Sequence, residues 1–285
     1  KLSKGVYETN IHEISEEFND ISVTTDTADI KFVLSSDEKS KVECYEEEKA
    51  KHLVSVRNGK LVIEIDNQKD WYDYIRFGYD IQKIIIYLSK NIYNTLIINE
   101  KTGNIEIPKD IIFDNANISL STGNVDFNAS VTNQLKIKAT TGDININSIS
   151  AGTIDLLVST GKITVSEVTC KNDIITNVST GKVSLTNVVC ENATSNGKTG
   201  DIILENVIVS NKFSIERSSG NVKINKSDAS SIYIKTGTGD VEGSLLSNKV
   251  FLVETKTGSI DVPKTIDGGK CEIYTNTGNI KIRII

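Results

Sequence analysis

Residues 159–162 and 179–182 both read Ser-Thr-Gly-Lys. Lysine after glycine, beside a hydroxyl residue, is the chemistry of a phosphate-gripping loop. Backbone N–H groups and an ammonium there cradle an oxyanion. Such a loop needs a second glycine, with four residues between it and Gly-Lys-Ser/Thr, and it must open a helix. Asn196-Gly197-Lys198-Thr199 comes nearest, but the required glycine position holds Asn192. Nucleotide binding is therefore not expected. Other chemistries fare no better. Asp and Asn recur after glycine, as in calcium-binding β-rolls, but those rolls repeat every nine residues. His12 and His52 are the two histidines, and no ligand-spaced cluster accompanies them. Cysteines 44, 170, 190 and 271 form no Cys-x-x-Cys pair. Glu46-Glu47-Glu48 reads as a solvated charge run. Neither a paired-carboxylate site nor a nucleophile elbow is apparent. The expectation is no catalytic residue, no metal and no cofactor.

The glycines instead keep time. A small-residue–glycine step recurs at Gly103, Gly123, Gly142, Gly161, Gly181, Gly200, Gly220, Gly239, Gly258 and Gly278, every 19 or 20 residues. Threonine precedes the glycine in every case but Ser219. Ile or Val always stands two places after it, from Ile105 to Ile280. Four places after it the residue is apolar again, Gly243 excepted. This alternation has the period of a half-buried strand, and its β-branched residues suit one. A second alternating pair follows in many units, such as Ile154/Leu156 and Phe213/Ile215. A unit of two or three short strands cannot bury its apolar face alone, but stacked units can.

The fold class expected is all-β: a single-stranded parallel β-helix, or β-solenoid, of about 19–20 residues per coil. It is right-handed by the default for parallel crossovers. Ten coils at about 4.8 Å each would make a rod of roughly 50 Å. Glycine turns the chain at one corner of every coil, and Asn or Asp after it tolerates the same backbone region. Lys162 and Lys182 occupy that post-glycine position and should stack with Asp143 and Asp201 as successive rungs.

Residues 1–100 look like an irregular capping part of the same structure, and 101–285 like its regular repeats, in one continuous structural domain. Ala28-Asp29-Ile30 resembles a worn Thr-Gly-Asp-Ile step, and Asn58-Gly59 marks a hairpin or coil corner. A cap is expected because an open coil end exposes unpaired strand edges. The C-terminal Ile-Lys-Ile-Arg-Ile-Ile ends in a strand whose edge pairs with another chain or lies under an earlier segment. Cys170 and Cys190 each lie nine residues after their glycine, where other units carry Ala151, Val209 and Ala229. The two should stack on adjacent coils, as buried thiols or as a bridged pair. Trp71, Tyr72, Tyr74, Phe77 and Tyr79 crowd nine residues of a chain with 6% aromatics. They suit a sugar- or protein-contacting loop, or a cap folded over the coil end.

The opening Ile-His-Glu-Ile-Ser-Glu-Glu-Phe, the repeating Thr-Gly-Asp-Ile-x-Ile units and the segment 84–107 together resemble bacterial putative-adhesin domains of unknown function. The resemblance runs over nearly the whole chain. Members usually carry Pro after the Leu at 88, where this chain has Ser89. The resemblance implies a β-solenoid at the bacterial envelope, often tethered by a membrane segment, and supplies no catalytic site.

Composition narrows the partners. Net charge is −6, all of it carried by the first hundred residues, which argues against a nucleic-acid partner. The longest greasy run, residues 84–88, is far short of the roughly 18 residues of a membrane span. The chain has no Met, so Lys1 is not expected to be its native start, and a tether upstream is expected. The expected function is a non-enzymatic, envelope-associated binding or adhesin-like protein, extracellular or at the cell surface. Its partner would be a glycan, an envelope protein or a second copy met through the C-terminal solenoid end. The alternatives are an envelope-stress signalling component and a polysaccharide-acting enzyme.

Overall fold

The computed structural model describes residues 6–68 and 80–285. The chain forms two compact units, Lys1–Thr132 and Asn133–Ile285. Both are built as β-solenoid, with coils joined by in-register parallel pairing.

In the second unit, Ile163–Cys170 and Asp173–Thr180 form one coil, and Val183–Cys190 and Asn192–Thr199 form the next. Ile163 pairs with Ile144 on one side and Val183 on the other. Ile174 lies between Ile154 and Ala193 in the same way. Each buried side chain therefore rests on its equivalent one coil away. The alternating apolar positions fill the interior, and the residues between them face out.

Two kinds of corner with positive φ recur among the coils. At the first, the glycines adopt φ near +140°, a region closed to other residues. The constraint is also one of contact. A Cβ on Gly181 would lie 1.7 Å from the carbonyl oxygen of Gly161. Asn and Asp after the glycine serve otherwise than expected, because none of them has positive φ among the described residues. Their side chains accept the backbone N–H of the next coil. Asp143 Oδ1 accepts from Lys162 at 2.8 Å, Asp201 Oδ1 from Asn221 at 2.8 Å, and Asn221 Oδ1 from Asp240 at 2.9 Å. The second corner falls six residues after the glycine, at Ser148, Glu167, Asn187, Asn206 and Lys226, each with φ between 46° and 57°. Asn206 Nδ2 there donates to Asn187 Oδ1 at 2.8 Å.

The last coils are not stacked in chain order. Ile280–Ile284 pairs with Val241–Leu245 on one side and with Ile260–Asp261 on the other. Gly269–Thr277 likewise lies between the strands of Val222–Thr238 and Lys249–Thr257. The terminal strand is thus covered by earlier segments. The outer edge falls to Lys249–Thr257, whose one strand partner among the described residues is Gly269–Thr277. Val250, Leu252 and Ile260 are exposed there.

In the first unit, Asp20–Leu34 forms the first parallel coil. Ile30 pairs with Ile84 and with Ile105, and Asp29 Oδ1 accepts the Asn104 N–H at 2.8 Å. Thr27-Ala28-Asp29-Ile30 therefore stands opposite Thr102-Gly103-Asn104-Ile105. Antiparallel strands precede the regular coils. Tyr7–Ile14 pairs with Ser40–Glu47, which pairs with Gln82–Leu88. Ala50–Arg57 and Lys60–Asn67 make a hairpin whose turn is Asn58-Gly59, with φ of 51° and 72°. Inside, the rings of Phe18, Tyr93 and Phe113 follow one another at 5.6 and 6.3 Å.

Glu100 points into this interior, 4% exposed. Its Oε1 accepts the Thr102 N–H at 3.0 Å, while Oε2 has no hydrogen-bond partner among the described residues. Burial raises its pKa to about 8.

Two measurements test these points. Gly181→Ala should destabilise the protein by at least about 3 kcal/mol in chemical denaturation. Gly59→Ala, whose Cβ would meet nothing within 4 Å, should cost only the roughly 1–2 kcal/mol of its left-handed backbone. Between the ordinary carboxylate range and about pH 8, the folded state keeps the Glu100 proton and the unfolded state does not. Glu100 therefore lowers stability as pH rises through that window. Glu100→Gln should be more stable than the parent by on the order of 2 kcal/mol at pH 9, with the gain absent at pH 4. Equal urea midpoints at pH 9 would contradict the assignment.

Candidate functional site

The repeat glycines all occupy coil corners and serve the fold. Ala151 pairs with Cys170, and Cys190 with Val209. Both cysteines are buried free thiols. Cys170 Sγ donates to the carbonyls of Gly152 and Asp173 at 3.3 and 3.4 Å. Burial pushes the two thiols up to about 11 and 12, so neither is a reactive thiolate at neutral pH. Trp71, Tyr72, Tyr74, Phe77 and Tyr79, the expected contact residues, lie outside the described residues. Lys162 and Lys182 stack in register with Asp143 and Asp201, as Ile163 and Val183 do with Ile144 and Ile202.

The second unit holds a polar groove of about 660 Å³ along one parallel sheet. Register explains it. Asn196, Glu216, Lys235 and Tyr274 follow one another across four strands and point outward. Two residues along, the outward row holds Ser218, Gly237 and Asn276, all lining the groove. Gly237 lacks the side chain that would fill the row, and a Cβ there would stand 2.4 Å from the Ser218 carbonyl oxygen. The result is a notch walled by the Tyr274 ring. Tyr233 supports that ring at 6.1 Å between centroids.

Beneath the groove lies Arg217, 4% exposed. It holds an inward position taken by Val178, Gly197, Thr236 and Thr275 in neighbouring coils. Gly197 makes this possible, since a Cβ there would lie 1.7 Å from Arg217 Nη1. The guanidinium donates to the Val178 carbonyl at 2.9 Å and to Ser195 Oγ at 3.4 Å. Its Nε has no acceptor, and no carboxylate pairs with it among the described residues. Burial lowers its pKa to about 10, so it remains a cation at neutral pH. Exposed Lys235 and Glu216 offset each other, which leaves the groove under a net positive field.

Sequence reading passed over this site. Its signals were Arg217 in an otherwise uncharged inward column of this unit, and Gly237, an extra glycine two residues before Gly239.

The Toastrack DUF4097 family model matches residues 18–174 and again 162–285. No curated protein matches the chain. Several solved structures are similar. A putative adhesin from Bacteroides fragilis is 18% identical over 99% of both chains, with a TM-score of 0.43. A putative lipid binding protein from Parabacteroides distasonis is 14% identical over 97% of this chain and 96% of its own, with a TM-score of 0.46. A putative adhesin from Parabacteroides merdae is 11% identical over the same shares, with a TM-score of 0.48. On the family match, which takes in nearly the whole sequence, the chain belongs to the Toastrack DUF4097 family.

Proposed function

We propose that this chain is a non-enzymatic, cell-envelope-associated binding protein, and that the groove over Arg217 takes an acidic cell-wall glycan. The observation that carries the reading is the notch at Gly237 beside the Tyr274 ring. A flat aromatic face next to an open backbone step is what a sugar ring packs against. Asn196, Ser218 and Asn276 supply donors and acceptors for hydroxyl groups. Arg217 and Lys235 favour a ligand that carries carboxylate or phosphate.

The non-enzymatic half is supported by the groove's inventory. Glu216 is the one carboxylate among its lining residues, and glycoside hydrolysis by the usual route takes two. The envelope half follows the family resemblance. Among the described residues, no helix is long and apolar enough to cross a membrane.

Purified protein should bind an acidic cell-wall polysaccharide fraction and leave its chain length unchanged. Tyr274→Ala should weaken that binding about tenfold or more, and Lys235→Ala should weaken it and blunt its salt dependence. Equal binding by Tyr274→Ala, or cleavage of the polysaccharide, would overturn the reading. Fractionation of cells making the full-length protein should place it with the envelope. A purely cytoplasmic pool would remove that half.

A further inference from the structure

The first unit contains a second cluster of chemistry-bearing side chains, unrelated to the groove. Tyr7–Ile14 and Ser40–Glu47 run antiparallel with Asn10 opposite Cys44, Glu8 opposite Glu46 and His12 opposite Val42. Paired residues share a face of the sheet, so Asn10, His12, Cys44 and Glu46 stand on the same one. Cys44 and Glu46 are 0% and 1% exposed, and His12 is half-buried. Donor atoms of His12, Cys44 and Glu46 all lie within 4.8 Å of one another.

Two further observations separate this cluster from an ordinary buried polar patch. His12 Nε2 is buried and has no hydrogen-bond partner among the described residues. A buried imidazole nitrogen left so carries a desolvation cost that a ligand would offset. Glu46, by contrast, is held firmly. Its Oε1 accepts from Asn10 Nδ2 at 2.8 Å, and its Oε2 accepts from the His52 backbone N–H at 2.7 Å and faces His52 Nδ1 at 2.8 Å. The far nitrogen of His52 lies 2.8 Å from Thr25 Oγ1. A carboxylate fixed by an imidazole that is itself fixed by a hydroxyl is the outer-shell arrangement of metal sites.

We propose that His12, Cys44 and Glu46 form a binding site for a divalent d-block cation of the zinc type. The donor set is one nitrogen, one sulfur and one oxygen, which suits zinc and not calcium or magnesium. Zinc bonds of roughly 2.0–2.3 Å put tetrahedral ligand atoms about 3.5 Å apart, so modest side-chain adjustments close the site. Three protein ligands leave the fourth position to water or to Asn10. Charge also balances. Thiolate, carboxylate, neutral imidazole and a divalent cation sum to zero, the total a buried site tolerates best. The cation displaces the Cys44 proton, which passes to solvent, and no electron moves. Half-buried His12, on the strand paired only with Ser40–Glu47 among the described residues, gives the route in.

The full chain should be loaded with zinc chloride, dialysed against metal-free buffer and assayed for metal by mass spectrometry. One zinc per chain is expected. Cys44→Ser and His12→Gln should each lose it, while Cys271→Ser should retain it. Cobalt(II) added to the unmodified chain should give a thiolate-to-metal charge-transfer band, which does not depend on any variant folding. Failure of the unmodified chain to retain zinc, or a cobalt spectrum with no thiolate band, would overturn the site. So would retention of zinc by Cys44→Ser at the parent's stoichiometry.

Discussion

Everything in these units depends on how closely one coil's corner approaches the next. At corner after corner, from Gly123 to Gly278, a Cβ on the glycine would lie about 2 Å from the carbonyl oxygen of a corner glycine in the neighbouring coil. The residue that receives this oxygen must lack a side chain, whereas the one that presents it need not, as Ala28 shows against Gly103. The N–H of Gly161 then reaches the Thr180 carbonyl at 3.0 Å, and that of Gly181 the Thr199 carbonyl at 2.8 Å. With the corner pinned, the strands on either side have no freedom to slip. A slip of one residue would turn every buried side chain outward. The 19- or 20-residue interval follows from this constraint, since the chain must come back to the same corner with the same side chains facing in.

That constraint made the fold readable. A glycine at fixed spacing, followed by Ile or Val at the second place, carries both the corner and the strand phase. The Asn58-Gly59 turn was readable for the same reason, because its left-handed pair of residues has a distinctive composition. The second corner was not. It uses Ser148, Glu167, Asn187, Asn206 and Lys226, residues with no shared chemistry, and their backbone angle is imposed by the stack around them. The order of the last coils was also hidden. Nothing local tells Ile280–Ile284 to enter between two earlier segments, because any coil of this repeat offers much the same pairing surface to any other.

The sites were legible only where a residue broke the ladder. The inward position three before each glycine carries Val158, Val178 and Thr236, and it also carries Glu100 and Arg217. An ionisable side chain in a column that otherwise holds only non-ionisable ones costs stability, and a column alignment exposes both at once. His12, Cys44 and Glu46 had no such signal. They come together because antiparallel pairing joins strands more than thirty residues apart, outside the part of the chain that repeats.

A regular solenoid also limits where binding chemistry can sit. Stacked coils present the same kind of side chain at each rung, so an undisturbed face is an array of equivalent weak contacts. Selectivity needs a place where one rung differs in size or charge. In the second unit one rung differs in this way at Gly237, where a missing side chain opens a notch, with Arg217 under it made possible by another missing side chain at Gly197. Two glycines outside the corners thus do what no corner glycine can. Those at the corners keep the coils identical, and these two make one pair of coils unlike the rest.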